Sequence, residues 1–210
     1  METDPFWTLI ADCRRRGLSG DQRDAWLRDA LLRLPPPDVI AFQACLEQVT
    51  GEACTWNLWA AADRVFGGWC SDDTFCHFQF WMVGLGRPVF EAALTDADVL
   101  AYAPEVLRLS GCPRAAWTDD AWPQWESLGY LAPSAYEELV GGFDDCGDAF
   151  YADVRALRGT PARNPPGLTP AGSRWSVLDE AESARRLPRL TAMFPLGSGS
   201  VGQPPLTRRT

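Results

Sequence analysis

The sequence predicts an all-α fold, a compact orthogonal bundle of helices, and three observations lead to this prediction. Apolar residues recur three and four positions apart through most of residues 1–158, which is the spacing of a buried helix face. Glycines and prolines interrupt that periodicity at the places where helices would end. No run of alternating polar and apolar residues is long enough to indicate a β-strand. Hydrophobic residues make up 46% of the 210 residues, which is enough for one sizeable core.

Glycine and proline signals separate the first three predicted helices. Asp4 begins the first helix, which ends at Gly17. Ser19 or Asp21 then caps the second helix, because short polar side chains accept hydrogen bonds from the free amides of a first turn. Three prolines at 35–37 end the second helix, and a third helix follows them.

A double glycine separates the fourth and fifth predicted helices. The fourth helix covers Trp56 to Phe66, and Gly67-Gly68 ends it. Ser71 is placed to cap the fifth helix. Asp72 and Asp73 follow in its first turn, where negative charge is favoured by the helix dipole.

The helical pattern weakens in the second half of the chain. Pro88 opens a sixth helix, and short helices are predicted over 104–109, 133–140 and 150–157. The tryptophan-rich stretch 117–125 is predicted to fold back on the body, either as a clamp over the core or as a partner-binding patch. The predicted organisation is a helical domain at 1–158, a Pro/Gly linker at 159–173, a C-terminal docking segment with a tail helix at 174–195, and a disordered tail at 196–210. Leu187, Leu190 and Phe194 are the predicted docking contacts.

Composition excludes several classes of function. The net charge of −9 and the absence of a basic stripe argue against nucleic-acid binding. All 19 basic residues are arginine, so neither a Schiff-base lysine nor a phosphate-loop lysine exists. No apolar stretch approaches a membrane span, and the acidic start does not resemble a signal peptide. Together with seven scattered cysteines, these features predict a cytoplasmic protein with reduced thiols that needs no cofactor.

Several sequence blocks follow a pattern typical of one bacterial family. These blocks are Phe6-Trp7, Trp56-x-Leu58-Trp59-x-Ala61-Ala62, Gly67-Gly68, Cys70-Ser71-Asp72-Asp73-x-Phe75, Gly86-Arg87-x-Val89-Phe90-Glu91-x-Ala93-Leu94, Ala135-Tyr136-Glu137-Glu138 and Arg185-Arg186-Leu187-Pro188-Arg189-Leu190. On these blocks the chain resembles the family called domain of unknown function 4240. The resemblance implies a compact, mainly helical domain and implies no reaction. The chain departs from the family pattern at Asn57, Asp63, Trp69 and His77.

The leading functional hypothesis is a non-enzymatic module that binds a small molecule or a peptide. Trp56, Trp59 and Asp63 lie on one face of the predicted fourth helix, and the double glycine turns that face toward the start of the fifth. The predicted binding residues are Trp56, Asn57, Trp59, Asp63, Ser71, Asp72, Asp73, Arg87 and Glu91. In the structural alternative, the tryptophans are core anchors, residues 71–73 are only a helix cap, and Arg87 with Glu91 is a surface pair.

The second hypothesis is an enzyme, either tailoring or hydrolytic. It would use the carboxylates of Asp72 and Asp73, with Cys70 or His77 assisting. Asp73 lies four residues before His77, so the two share a helix face, and Cys70 precedes a helix start, where thiols are acidified. A histidine that is packed and hydrogen-bonded to Asp73 is the structural alternative. A metal site is not predicted, because Cys76 and His77 are consecutive on a helix and point apart.

Overall fold

The computed structural model describes residues 3–142, 147–159 and 169–196, and it confirms the all-α fold. Within these ranges the only extended pairing is one isolated parallel bridge between Thr55 and Ala171. The helices are α1 (Thr3–Arg15), α2 (Gly20–Leu31), α3 (Pro36–Glu52), α4 (Trp56–Phe66), α5 (Asp72–Gly84), α6 (Arg87–Thr95), α7 (Pro104–Leu107), α8 (Leu128–Val140), α9 (Asp148–Leu157), α10 (Glu180–Arg186) and α11 (Pro188–Met193). Short 3₁₀ turns cover Ala97–Tyr102, Arg114–Ala116 and Asp119–Ala121.

Helix α3 lies at the centre of the bundle. It is apolar on nearly all sides, and α1, α5, α8 and α9 pack around it. Phe42 of α3 meets Phe6 of α1 with ring centroids 5.0 Å apart. On another side, Ile40 of α3 contacts a smaller cluster that contains Phe150 of α9. At 17 residues, α3 is also the longest helix of the described chain.

Helix α8 is longer than the sequence predicted. The expected helix began at Pro133, but α8 begins at Leu128 and holds Pro133 in its interior. Proline removes one backbone hydrogen bond from a helix, at a cost of about 3 kcal/mol. The apolar face that includes Leu131 and Ala135 packs against α2 and α3 and offsets this cost.

The tryptophan-rich segment folds back over the body, as the sequence predicted. Trp117 and Trp125 are buried, and the indole of Trp122 stacks on Phe66 at a centroid distance of 6.0 Å. Trp125 lies directly over Gly84, where an added Cβ would stand 3.0 Å from the indole. The segment therefore acts as a clamp across the end of α5. We call residues 116–127 the tryptophan clamp.

Two buried ionic groups hold the C-terminal segment against the body. The guanidinium of Arg64, in α4, donates to both carboxylate oxygens of Glu180 at 2.9 and 3.1 Å, and it also donates to two backbone carbonyls of the segment. The carboxylate of Asp98 accepts the backbone N–H groups of Arg189 and Leu190 at the start of α11. The three predicted docking residues, Leu187, Leu190 and Phe194, are buried in the main core.

The predicted domain boundaries remain predictions. Most of the proposed linker, 160–168, and nearly all of the proposed tail, 197–210, lie outside the described residues. What the structure adds is that 169–196 belongs to the same core as the helices before it. Among the described helices, none combines the length and apolar character needed to cross a membrane.

Candidate functional site

The predicted tryptophans of α4 form a continuous aromatic row. Trp59 stacks on Phe75 of α5 at 4.5 Å between centroids, and Trp56 lies 5.7 Å from Trp59. The guanidinium of Arg174, from the C-terminal segment, lies 5.0 Å from the ring of Trp56. The outer end of the row is therefore covered by the protein's own C-terminal segment.

Asn57 also contacts the C-terminal segment. Its Oδ1 accepts a hydrogen bond from the indole N–H of Trp175 at 3.1 Å and a longer one from Arg186 at 3.4 Å. The neighbouring backbone extends this junction, because the N–H of Trp56 donates to the carbonyl of Ala171 at 2.9 Å. The start of α4 is thus a docking edge for residues 171–186.

Asp63 and Cys70 form a buried pair beneath the double-glycine turn. A carboxylate oxygen of Asp63 accepts the backbone N–H of Cys70 at 2.7 Å. Burial raises the pKa of Asp63 to about 6, and hydrogen bonds from Cys70 together with the nearby charge of Arg174 limit the rise. Burial also raises the pKa of the Cys70 thiol, and the neighbouring Asp63 carboxylate adds to the effect. The expectation of an acidified Cys70 is therefore wrong, because the thiol is buried rather than open at a helix start.

The start of α5 is a conventional helix cap. The Ser71 hydroxyl accepts the backbone N–H of Thr74 at 3.1 Å, as predicted. Asp72 and Asp73 are exposed, and their carboxylates make no hydrogen bond or ion pair with the described residues. His77 is half-buried, and its imidazole likewise makes neither kind of contact within the described ranges. The hydrogen-bonded Asp73–His77 pair considered from the sequence is therefore not present.

Arg87 lies at the start of α6, in a group of its own. Its Nη1 contacts Asp4 of α1 at 2.6 Å, and its Nε contacts Glu91 at 2.6 Å. The structure thus divides the predicted binding residues among four local groups: the α4 junction with the C-terminal segment, the buried Asp63–Cys70 pair, the α5 cap, and the Arg87 pair. Within the described chain, no group of three or more His, Cys, Asp or Glu side chains is arranged to hold a metal ion.

The structure contains a large open cleft elsewhere, with a volume of about 1150 Å³. The second half of α1 and residues 17–24 form one wall. The end of α5, parts of residues 105–112 and the tryptophan clamp supply most of the remaining lining. None of the predicted binding residues lines it.

A salt bridge crosses between two walls of the cleft. Arg14 of α1 donates to the backbone carbonyl of Gly84 at 3.0 Å and pairs with Glu105 of α7 at 2.9 Å. Only Oε1 of Glu105 takes part in this pair. The other oxygen, Oε2, is buried and has no hydrogen-bond partner among the described residues.

The α1–α2 loop and the start of α2 are tied to the tryptophan clamp by polar contacts. Asp24 accepts the indole N–H of Trp125 at 2.7 Å and the hydroxyl of Ser127. The guanidinium of Arg23 lies over the Trp125 ring, 4.0 Å from its centroid, and is 3.4 Å from Asp24. Through these contacts, Arg23 and Asp24 of α2 pack against Trp125 of the tryptophan clamp at the edge of the cleft.

Sequence reasoning missed this cleft, although part of its signal was visible. The clamp combines three tryptophans with two adjacent aspartates, Asp119 and Asp120, and its sequence leaves open a partner-binding role. Nothing in the local sequence, however, indicates that residues near Arg14 would face it. The decisive contact is long-range: the hydroxyl of Ser19 donates to Asp120 at 3.0 Å, across 101 positions.

Comparison with known protein families gives a match over most of the chain. Residues 1–138 match the family described as a protein of unknown function (DUF4240). The chain belongs to this family. The DUF4240 match includes every residue that lines the cleft and ends before the C-terminal segment.

Curated relatives of this DUF4240 member are distant. Two are the same component of NADH-quinone oxidoreductase from two strains of Rickettsia bellii, OSU 85-389 and RML369-C, each 27% identical over 120 residues. The similarity covers 52% of this chain and 27% of each relative. The chain therefore spans about a quarter of the length of these relatives. No solved structure matches this DUF4240 chain.

Proposed function

We propose that this protein is a non-enzymatic binding module that takes a small organic molecule into the cleft beside the tryptophan clamp. The observation that carries the proposal is the cleft itself, about 1150 Å³ in volume, with aromatic walls and a few charged groups in fixed positions. Ligand pockets typically have volumes of about 300–1,000 Å³ and combine these features, and this cleft is slightly larger than that range. The walls come from segments that the core and the salt bridges hold in place, so the cleft is formed before any ligand arrives.

The cleft is a better candidate than the residues predicted from the sequence. At the start of α4, Trp56 and Asn57 are engaged by the C-terminal segment, and Arg87 is paired with Asp4 and Glu91. A ligand there would have to displace these contacts. In the cleft, polar groups such as Asp119 and Arg108 are exposed and make no ion pair with the described residues.

No specific observation favours the enzymatic alternative. A nucleophilic role for Cys70 requires a thiolate, and burial raises the pKa of this thiol. The name of the Rickettsia relatives includes NADH, but a dinucleotide carries two phosphates. The cleft is lined by more carboxylates than arginines, so it offers poor electrostatic complementarity to that ligand.

The test is a ligand screen with a variant that fills the cleft. Ala116 lines the cleft and is exposed, so Ala116→Trp should occupy the space without disturbing the core. Ala115 is its exposed neighbour in the same 3₁₀ turn and does not line the cleft, so Ala115→Trp is the matched control. The purified protein and both variants would be incubated with a library of small metabolites, and binding would be read by saturation-transfer NMR.

We expect compounds that bind the wild-type chain to bind Ala115→Trp equally and to lose contact with Ala116→Trp. Equal binding to both variants would place the ligand outside the cleft and overturn the proposal. A library with no binder would overturn it as well. Conversion of a bound compound into a product would refute the statement that the module is non-enzymatic.

A further inference from the structure

Some of the charged side chains that line the cleft already form ion pairs within the protein, and others do not. Six carboxylates line it, but only three arginines. Arg14 is paired with Glu105, and Arg23 is paired with Asp24, so two of the three arginines are neutralised within the protein. The third, Arg108, is exposed. The cleft is therefore a region of excess negative charge on a chain that is itself acidic.

Three of the carboxylates that line the cleft are free to accept a hydrogen bond from a ligand. The side chains of Asp21, Asp119 and Glu126 are exposed and make no hydrogen bond or ion pair with the described residues. Glu105 is already paired with Arg14, so it adds little free charge to the lining. The chemical group that complements these exposed carboxylates is an N–H donor that carries a positive charge.

The protein already contains one example of the contact that such a donor would make. The guanidinium of Arg23 lies 4.0 Å above the Trp125 ring while Asp24 supplies the counter-charge, 3.4 Å away. Stacking of a cation on indole stabilises by about 0.5–2 kcal/mol, depending on how far water is excluded. Further indoles line the same cleft at Trp81, Trp117 and Trp122.

From these observations we infer that the ligand of the cleft is an organic cation, an amidine, guanidine or amine that carries an aromatic or apolar part. The positive group faces the carboxylates, and the apolar part packs against the indoles. This inference rests on the proposed function, because it names the chemical class of molecule that the proposed binding module takes. It excludes carboxylates and phosphates, which the acidic lining repels.

A set of three probes with nearly the same shape tests the charge directly. Benzamidine is a cation at neutral pH, benzamide is neutral, and benzoate is an anion. Binding to the intact protein would be measured by titration, and the site would be located from the indole N–H signals of ¹⁵N-labelled tryptophan. We expect benzamidine to bind about tenfold or more tightly than benzamide, to shift indole signals of the clamp, and to weaken as salt is raised. Benzoate should not bind.

Charge-neutralising variants supply the second arm. Asp119→Asn combined with Glu126→Gln removes two unpaired charges from the cleft, and we expect about 2- to 30-fold weaker binding of benzamidine, because exposed ion pairs each contribute about 0.2–1 kcal/mol. Asp72→Asn combined with Asp73→Asn removes two exposed, unpaired carboxylates outside the cleft and is the matched control. Its affinity should equal that of the wild type.

The outcomes separate the inference from the proposed function. Equal binding of the three probes, or a preference for benzoate, overturns the inference and leaves binding in the cleft intact. Failure of benzamidine to bind also overturns the inference, whereas the proposed function is judged by the metabolite screen with the Ala115 and Ala116 variants. Loss of affinity in the Asp72/Asp73 control to the same extent as in the cleft variant would show that only net charge matters, which again contradicts the inference.

Discussion

Asp98 offers the most direct test of how the C-terminal segment is held. Its side chain is 2% exposed, and its carboxylate accepts the backbone N–H of Leu190 at 2.9 Å and that of Arg189 at 3.0 and 3.1 Å. It also accepts one guanidinium hydrogen bond from Arg189, at 3.1 Å. Asp98 thus serves as the N-terminal cap of α11 from a distant part of the chain. Its negative charge is stabilised by the positive end of the helix dipole.

The substitution Asp98→Asn keeps the shape of the side chain and removes the charge. Asparagine retains one acceptor oxygen, and its amide NH₂ then points at one of the backbone N–H donors. Hydrogen bonds to charged groups contribute about 1.5–3 kcal/mol each. We therefore expect one such bond to be lost and the other to weaken, with a decrease of about 2–4 kcal/mol in the free energy of unfolding. For a chain of this size, that corresponds to a decrease of about 5–15 °C in Tm.

Urea denaturation measures the loss, and hydrogen exchange read by mass spectrometry locates it. Amide exchange should accelerate in residues 174–196 first, because that segment loses its cap. Asp153→Asn is the control, since Asp153 is exposed on α9 and makes no hydrogen bond or ion pair with the described residues. A decrease below about 0.5 kcal/mol, within the ordinary range for surface substitutions, would refute the reasoning. Faster exchange confined to other helices would refute it equally.

Three further predictions concern the region around the double glycine and the cysteines. Burial raises the pKa of Asp63 to about 6, compared with about 3.9 in the unfolded chain. The contribution of Asp63 to stability is therefore fully present below about pH 3.9 and is lost as the pH rises toward 6. Asp63→Asn should remove this part of the pH dependence, up to about 3 kcal/mol in the free energy of unfolding, in urea titrations from pH 4 to 7. Gly67→Ala should lower the free energy of unfolding by more than Gly141→Ala. Both glycines have positive φ, near +92° and +83°, but only Gly67 has a side chain packed against its Cα. Chemical denaturation compares the two variants, and equal decreases in stability would contradict the prediction. Iodoacetamide labelling at pH 8, read by mass spectrometry, should modify Cys112 in the folded protein and Cys70 only after unfolding. The reason is that Cys112 is exposed, whereas Cys70 is buried and its thiol pKa is raised. Rapid labelling of Cys70 in the folded protein would contradict its buried position.

Features that depend on neighbouring residues were predictable from the sequence. The Ser71 cap and the helix stop at Gly67 follow from side-chain chemistry and backbone freedom within a few positions, and the structure shows both. The interior position of Pro133 in α8 was not predictable in this way, because packing of α8 against α2 and α3 outweighs a local cost. Local signals describe helix ends well and fail where tertiary contacts dominate.

The candidate site illustrates the second kind of failure. The sequence predicted that Arg87 would lie near the α4–α5 turn. In the structure Arg87 instead forms an ion pair with Asp4 of α1, 83 positions away. Asn57 was a predicted binding residue, yet its side-chain oxygen accepts a hydrogen bond from Trp175, 118 positions away. The cleft itself is assembled from separate stretches of chain. None of these long-range pairings leaves a periodic trace in the sequence, so only the fold reveals them.

The pairing of Arg64 with Glu180 also sets the order of events during synthesis. The two partners are 116 residues apart, and Arg64 is 1% exposed in the finished core. At translation rates of about 5–20 residues per second, roughly 6 to 23 s separate the appearance of the cation from that of its counter-ion. During that interval the guanidinium of Arg64 has no counter-ion, although it belongs to the part of the chain that forms the core. Ribosome-stalled chains of increasing length should therefore show the amides of α4 becoming protected only after Glu180 has left the exit tunnel.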